Sequence, residues 1–165
     1  MEFRSNFEKV VDFNTQFGVI DSEWLNPKTD VIDTNPQTVE FCLKLIREEV
    51  RELEEGVQTK DFTEVVDALG DILYVVYGMG ARIGVNMDNA FALIHSNNMS
   101  KLSPTEQDAI DSVAYYKSHP ELGYDSPAYR PSPDGKYFVV FNESTKKILK
   151  SISWKAVDLS SVIHK

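Results

Sequence analysis

At 165 residues, 42% hydrophobic and 26% charged, the chain is long enough for one domain with its own core and too apolar for wholesale disorder. Seventeen basic against twenty-six acidic side chains leave a formal charge of −9, which argues against a duplex nucleic-acid binder that would need a basic stripe. The lone Cys42 excludes an intramolecular disulfide, and the longest apolar stretch, Ile72 to Gly80, is too short to span a bilayer. No signal-peptide run is visible in MEFRSNFEKVVDF, so a soluble cytoplasmic protein without membrane contact is expected.

The first helix is expected over Ser5 to Phe17, with Phe7, Val10, Val11, Asn14 and Phe17 at helical spacing. Gly18 ends it, and Asp21 to Asn35 reads as a loop holding Trp24 and Leu25. Trp24 is either an aromatic loop anchor or a base-stacking residue beside a pocket. Asn35 as N-cap and Pro36 at the first helical position start a second helix, whose apolar stripe runs from Val39 to Val57. Glu48 and Glu52 lie roughly 40° apart on its wheel, with Glu49 between that pair and the stripe.

Asp61 caps a third helix reaching Ile83, and Glu64 completes a capping-box pattern. Its apolar face is Val65, Leu69, Ile72, Leu73, Val76 and Met79, bordered by Asp67, Asp71, Tyr74 and Gly78. Gly70, Gly78 and Gly80 each cost about 1 kcal/mol relative to Ala, which points to close helix contact or to ligand access. Asp88 is read as the cap of a fourth helix ending near Met99. Ser103 to Glu106 starts a short helix to Ser118, and four prolines between Pro120 and Pro133 make an irregular connection. Tyr137 to Phe141 and Lys147 to Ile152 then read as two strands about an Asn142–Thr145 turn, followed by a strap from Trp154 to Ile163. The expected fold is all-α: an antiparallel helical bundle over residues 1–102, with a C-terminal appendage over 103–165 that carries a β-hairpin.

EExxE alone is met in many solvated helices. Its pairing with a second acidic row, on a helix joined by a short loop, brings Glu49 and Glu52 opposite Asp67 and Asp71. Carboxylates so gathered repel unless a hard divalent cation joins them, and Mg²⁺ takes such oxygen ligands. Compensation by Arg47, Arg51 and Lys60 is the alternative. Asn98, Ser100 and Lys101 are placed either to hold phosphate oxygens or to cap a helix. With no Gly-rich phosphate loop, no GxSxG and no zinc spacing, the nucleophile would be water.

The strings IREEVRELEEG, DALGDILYVVYGMGARIG and AFALIHSNNMSKL closely resemble the MazG-like branch of the all-α nucleoside triphosphate pyrophosphohydrolases. FNTQFGV and KKILKSISWKAVDLSSVI resemble the two ends of compact members, so the likeness covers residues 5–102 and the last twenty. It implies Mg²⁺-dependent hydrolysis of a nucleoside triphosphate between its α and β phosphates, with Mn²⁺ as a substitute metal, in a homodimer or homotetramer. It implies metal ligation by Glu49, Glu52 and Asp71, water activation by Glu48, and Asn98 and Lys101 facing metal or phosphates. Many members carry Glu where this chain has Ala68; Asp67 is the favoured replacement, with Glu64 as an additional ligand. Tyr74 and Trp24 are the aromatic candidates for substrate contact. Phosphoribosyl-ATP as substrate, or a non-catalytic scaffold with a degenerate metal site, are the rival readings.

Overall fold

The computed structural model describes residues 4–164. The reading of the extreme N-terminus rests partly on residues 1–3, which lie outside the described residues. The chain divides into two compact units. The first takes the described residues up to Phe91 together with those from Leu159 onward, and the second is Ala92–Asp158.

In the first unit, α1 (Asn6–Gln16) starts at a complete capping box: Ser5 accepts from the Glu8 amide, and the Glu8 carboxylate accepts from the Ser5 amide. A four-residue helix, α2 (Val31–Thr34), interrupts the expected loop; it is too short to carry a periodic signal. α3 (Pro36–Thr59) begins as expected, Asn35 accepting from the Thr38 amide, and ends at Lys60 in the left-handed conformation. α4 (Phe62–Arg82) is capped by Asp61, which accepts from the amides of Thr63 and Glu64. The expected return bond from Glu64 does not form, because the Asp61 amide donates to the Gly56 carbonyl at 2.9 Å. α5 (Met87–Met99) is capped by Asn86, whose side chain accepts from the Asn89 amide, and not by Asp88. Asp88 lies inside the first turn and accepts from the Ser5 hydroxyl.

The most extensive packing in the molecule is α3 against α4. Gly56 is buried at their junction: a Cβ there would lie 3.1 Å from the Val65 amide nitrogen and 3.2 Å from the Glu64 side chain. This close approach sets the two helices in register from their turn. α1 lies on α4 through aromatic edges, Phe7 on Tyr77 and Phe13 on Tyr74, with Asn14 buried between them and donating to the Val10 carbonyl. The expected core is only partly buried. Val50, Val57, Leu69 and Leu73 are exposed on the described chain, although each belongs to a predicted apolar stripe.

In the second unit, α6 (Glu106–Ser118) packs on an antiparallel hairpin of β1 (Pro127–Pro131) and β2 (Phe138–Asn142). The hairpin is therefore one strand earlier than expected. Lys147–Ile152 is a strap, tied to β2 through the isolated Phe141–Ile148 bridge and the Leu149 amide to the Val140 carbonyl. β1 escaped notice because prolines stand at both of its ends, a placement that edge strands tolerate. Ala109, Val113, Tyr116, Val140 and Leu149 form the core of this unit. Beside them the buried Asn142 donates to Asp125, Ser144 and Thr145 and accepts from the Ser126 amide. Donors from Ser144, Asn142 and Ser126 hold the Asp125 carboxyl down at about 2. The chain closes with a short helix, α7 (Ser160–Ile163), which belongs to the first unit.

Gly56→Val is expected to destabilise the protein by about 1–3 kcal/mol through overpacking at the α3–α4 junction, read as a lower melting temperature. Asp125→Ala is expected to destabilise at neutral pH. The folded pKa of Asp125 lies below its unfolded value, so its contribution is complete above about pH 4 and is lost as pH falls toward 2. Denaturation curves of the two proteins should therefore converge on acidification; a constant gap down to pH 2 would mean that the charge is irrelevant.

Candidate active site

α3 and α4 each carry acids at i, i+3 or i+4, spacings that keep side chains on one face of a helix. Their packing turns the two faces toward one another. Glu49 records the result: its carboxyl is raised above the usual range, first by partial burial and then by the negative charges of Glu52, Asp71, Glu48 and Asp67. All four neighbours were predicted site residues, two from each helix. Glu64, the fifth predicted partner, does not act on Glu49; its side chain instead lies against Gly56 at the helix junction.

Compensation by basic residues is slight. Arg47 pairs with Glu40 at 2.8 Å, pointing away along α3. Among the described residues the one ion pair reaching the cluster is Lys44 to Glu48, at 3.8 Å and largely exposed. Lys44 was missed from the sequence, although it lies one helical turn before Glu48. The carboxylates do not close on a point: no group of three acids among the described residues converges tightly enough to hold a metal ion by itself. The donor set is nonetheless all carboxylate, the chemistry that suits Mg²⁺ when substrate phosphates supply the remaining ligands.

Ala68, where a Glu was missing, is buried at 2% exposure, while Asp67 beside it is exposed. Asp67 and Asp71 line a shallow hollow of about 430 Å³ with Phe62, Thr63, Val66 and Gly70. A side chain on Gly70 would meet nothing within 4 Å, whereas one on Gly80 would run into Met87 and one on Gly78 would touch Asn14. Packing thus accounts for Gly80, a side chain on Gly78 would make only an ordinary contact, and Gly70 is open backbone beside the acids.

The other predicted residues lie apart from the acid rows or in the other unit. Tyr74 is half exposed, one turn beyond Gly70, with its ring edge on Phe13 at 5.5 Å. Trp24 meets Phe7 edge-on at 5.6 Å and lines a cleft of about 710 Å³ with Lys28, Thr38 and Arg82. Thr38 lies eleven residues before Glu49 on α3, so this cleft begins about 16 Å along the axis from the acids. Asn98 and Lys101 belong to the second unit, where the Lys101 ammonium donates to the Asn98 side-chain oxygen Oδ1 at 2.8 Å. His95 is exposed, and Cys42 is buried with its thiol pushed up by burial, as a structural cysteine should be.

Residues 19–98 match the family model described as phosphoribosyl-ATP pyrophosphohydrolase. This segment is a domain of that family, within the MazG-like pyrophosphohydrolase superfamily. The match spans α2, α3 and α4 with both acid rows, and the all-α character of the family agrees with the helices found here. The domain supports a nucleotide pyrophosphohydrolase activity in general. The chain is also similar to an uncharacterized protein, L479, of Acanthamoeba polyphaga mimivirus: 28% identity over 246 aligned positions, covering 99% of this chain and 97% of that protein.

Glu49→Gln removes one charge from the centre of a like-charged group. In chelator it is expected to be more stable than the parent by about 0.2–0.5 kcal/mol, the scale of a like-charge pair on a helix. Thermal denaturation in EDTA checks this, and a lower melting temperature in the variant would mean that Glu49 is held by attraction.

Proposed function

We propose that the protein hydrolyses a (deoxy)nucleoside triphosphate at the α–β phosphate bond, using Mg²⁺, to give a nucleoside monophosphate and pyrophosphate. One observation carries this reading: inside a pyrophosphohydrolase domain, four carboxylates from α3 and α4 act on a fifth, Glu49, with one exposed lysine against the group. Glu49, Glu52, Asp67 and Asp71 would hold the metal, Asp67 serving in place of the missing Glu at Ala68. Glu64 is assigned to the helix junction on account of its contact with Gly56.

A cation held by these acids would neutralise phosphate charge and make bound water more acidic. Glu48 stands at the edge of the group, where it accepts a proton from the attacking water. Water oxygen bonds to phosphorus, the bridging P–O bond breaks, and pyrophosphate departs with the electron pair. Lys44 beside Glu48 would help to hold that carboxylate in place before the reaction. Tyr74 is assigned to the nucleoside, and Trp24 is kept as a second aromatic contact.

The same reading gives the exposed apolar residues of α3 and α4 a partner. Val50, Val57, Phe62, Val66, Leu69 and Leu73 are all more than a third exposed. Leaving a large apolar side chain in water forgoes about 1.5–3 kcal/mol, so a second copy of the chain is proposed to cover this face in a homodimer or homotetramer.

The test is pyrophosphate release from a panel of NTPs and dNTPs with phosphoribosyl-ATP included, in Mg²⁺, Mn²⁺ or EDTA. Turnover is expected with either metal, none in EDTA, and a fall of at least about 10²-fold in kcat for Glu48→Gln. Turnover of phosphoribosyl-ATP alone would reassign the substrate. No turnover on any member, with no rise in melting temperature on adding Mg²⁺, would leave the acid rows as a scaffold.

A further inference from the structure

The second unit holds a cleft of about 800 Å³ whose lining lies entirely between Lys101 and Trp154. Its walls include Tyr115, Tyr116, Tyr124, Trp154, Lys147 and Lys150, and none of its lining residues is acidic. This is unusual in a chain of net charge −9. Between Ala92 and Asp158 there are eight basic and eight acidic side chains, so the whole excess of acid belongs to the rest of the molecule.

The cleft is built by the strap. The Tyr116 hydroxyl donates to the Lys150 carbonyl at 3.0 Å, and the Leu149 amide donates to Val140, which fixes the strap against α6 and β2. Lys147 is thereby placed with its ammonium 5.1 Å from the centre of the Tyr124 ring, and Lys150 with its ammonium 3.5 Å from the centre of the Trp154 ring. Neither lysine has a carboxylate within ion-pair distance among the described residues. Their ring contacts are worth about 0.5–1 kcal/mol at exposed sites, less than charge-assisted bonds to a phosphate. The Trp154 indole N–H is buried without an acceptor, a donor left over that costs about 1–3 kcal/mol. Tyr115, stacked on His119 at 4.2 Å and 45% exposed, keeps ring surface open to a ligand.

We propose that this cleft is a mononucleotide-binding site: Lys147 and Lys150 take the phosphate, and the base stacks on the aromatic wall. The volume lies in the usual range for small-ligand pockets, and base–aromatic stacking contributes about 1–3 kcal/mol. Lys147 and Lys150, with Lys101 also on the lining but donating to Asn98, suit one phosphate group and are too few to track the backbone of a nucleic-acid strand. The site lies within one compact unit and stands whether or not the acid rows hydrolyse anything.

The experiment is calorimetric titration of the full chain, in EDTA, with AMP, UMP, adenosine, inorganic phosphate and a short single-stranded oligonucleotide. Saturable binding of a mononucleotide is expected, weakened at least about tenfold in Lys147→Gln/Lys150→Gln and unchanged in Glu49→Gln. Adenosine and phosphate alone should each bind at least about tenfold more weakly than AMP. In Trp24→Phe, Trp154 is the remaining tryptophan, and AMP should change its fluorescence even if the lysine variant were to fold poorly. No saturable binding at millimolar nucleotide, no fluorescence change, or binding lost in Glu49→Gln but kept in the lysine variant would overturn the site. Phosphate binding as tightly as AMP would reduce it to an anion site, and a tenfold preference for the oligonucleotide would make it a strand site; either result overturns the proposal.

Discussion

Two negatively charged helix faces are held against one another by packing that does not relax. α3 and α4 meet along most of their length, and Gly56 at their junction admits the backbone of Val65 so closely that the helices cannot open without losing that contact. Acids placed at one-turn intervals on both helices must then share a field. The Glu49 carboxyl, raised first by partial burial, is raised further by this field, and the exposed Lys44 relieves little of it. A protein that keeps such repulsion in its most extensive helix contact retains stability elsewhere or recovers it on binding a cation. The first unit buries few large side chains by itself, so it has little packing to offset that repulsion, and the proposed cation would do so.

Most of this was legible in the residues, for a definite reason. Caps and periodic acids are local signals: Ser5 with Glu8, Asn35 with Pro36, and Asp61 each determine a helix start within four residues. Where two local solutions competed, sequence reasoning chose wrongly. Asn86 and Asp88 both suit a helix start, and Asp88 lost the role to Asn86 because Ser5 occupies its carboxylate. That contact spans more than eighty residues, so no window of sequence contains it. The hairpin failed similarly: Pro127 and Pro131 look like breakers until β2 is present to make β1 an edge strand.

The apolar stripes raise a different point. Periodicity finds the face of a helix that avoids water, but it does not say which neighbour covers it. On α3 and α4 that face divides, one part packing helix on helix and the rest, with Phe62 at 79% exposure, remaining open in a single chain. The acids lie beside both parts. A surface that is apolar along one side and anionic along the other suits two unlike partners, which on the proposed reading would be a second copy of the chain and a cation; the domain family itself supports a nucleotide pyrophosphohydrolase activity in general.

Gly70 differs from the other glycines of α4 in having open space beside it. A glycine inside a helix costs about 1 kcal/mol against alanine, and Gly80 recovers that cost where a methyl group would press on Met87. Gly70 recovers nothing: a methyl group there would stand in open space, on the rim of the hollow lined by Asp67 and Asp71. Helix packing within the chain therefore cannot be its reason. What remains is something that approaches the backbone from outside, between two carboxylates, where the polyphosphate of a metal-bound nucleotide would have to lie or where the facing helix of a second copy would press. The two occupants differ in what they bring to the carboxylates beside Gly70: on the proposed reading a metal ion would offset their charge, whereas the facing helix of a second copy would cover the apolar surface next to them.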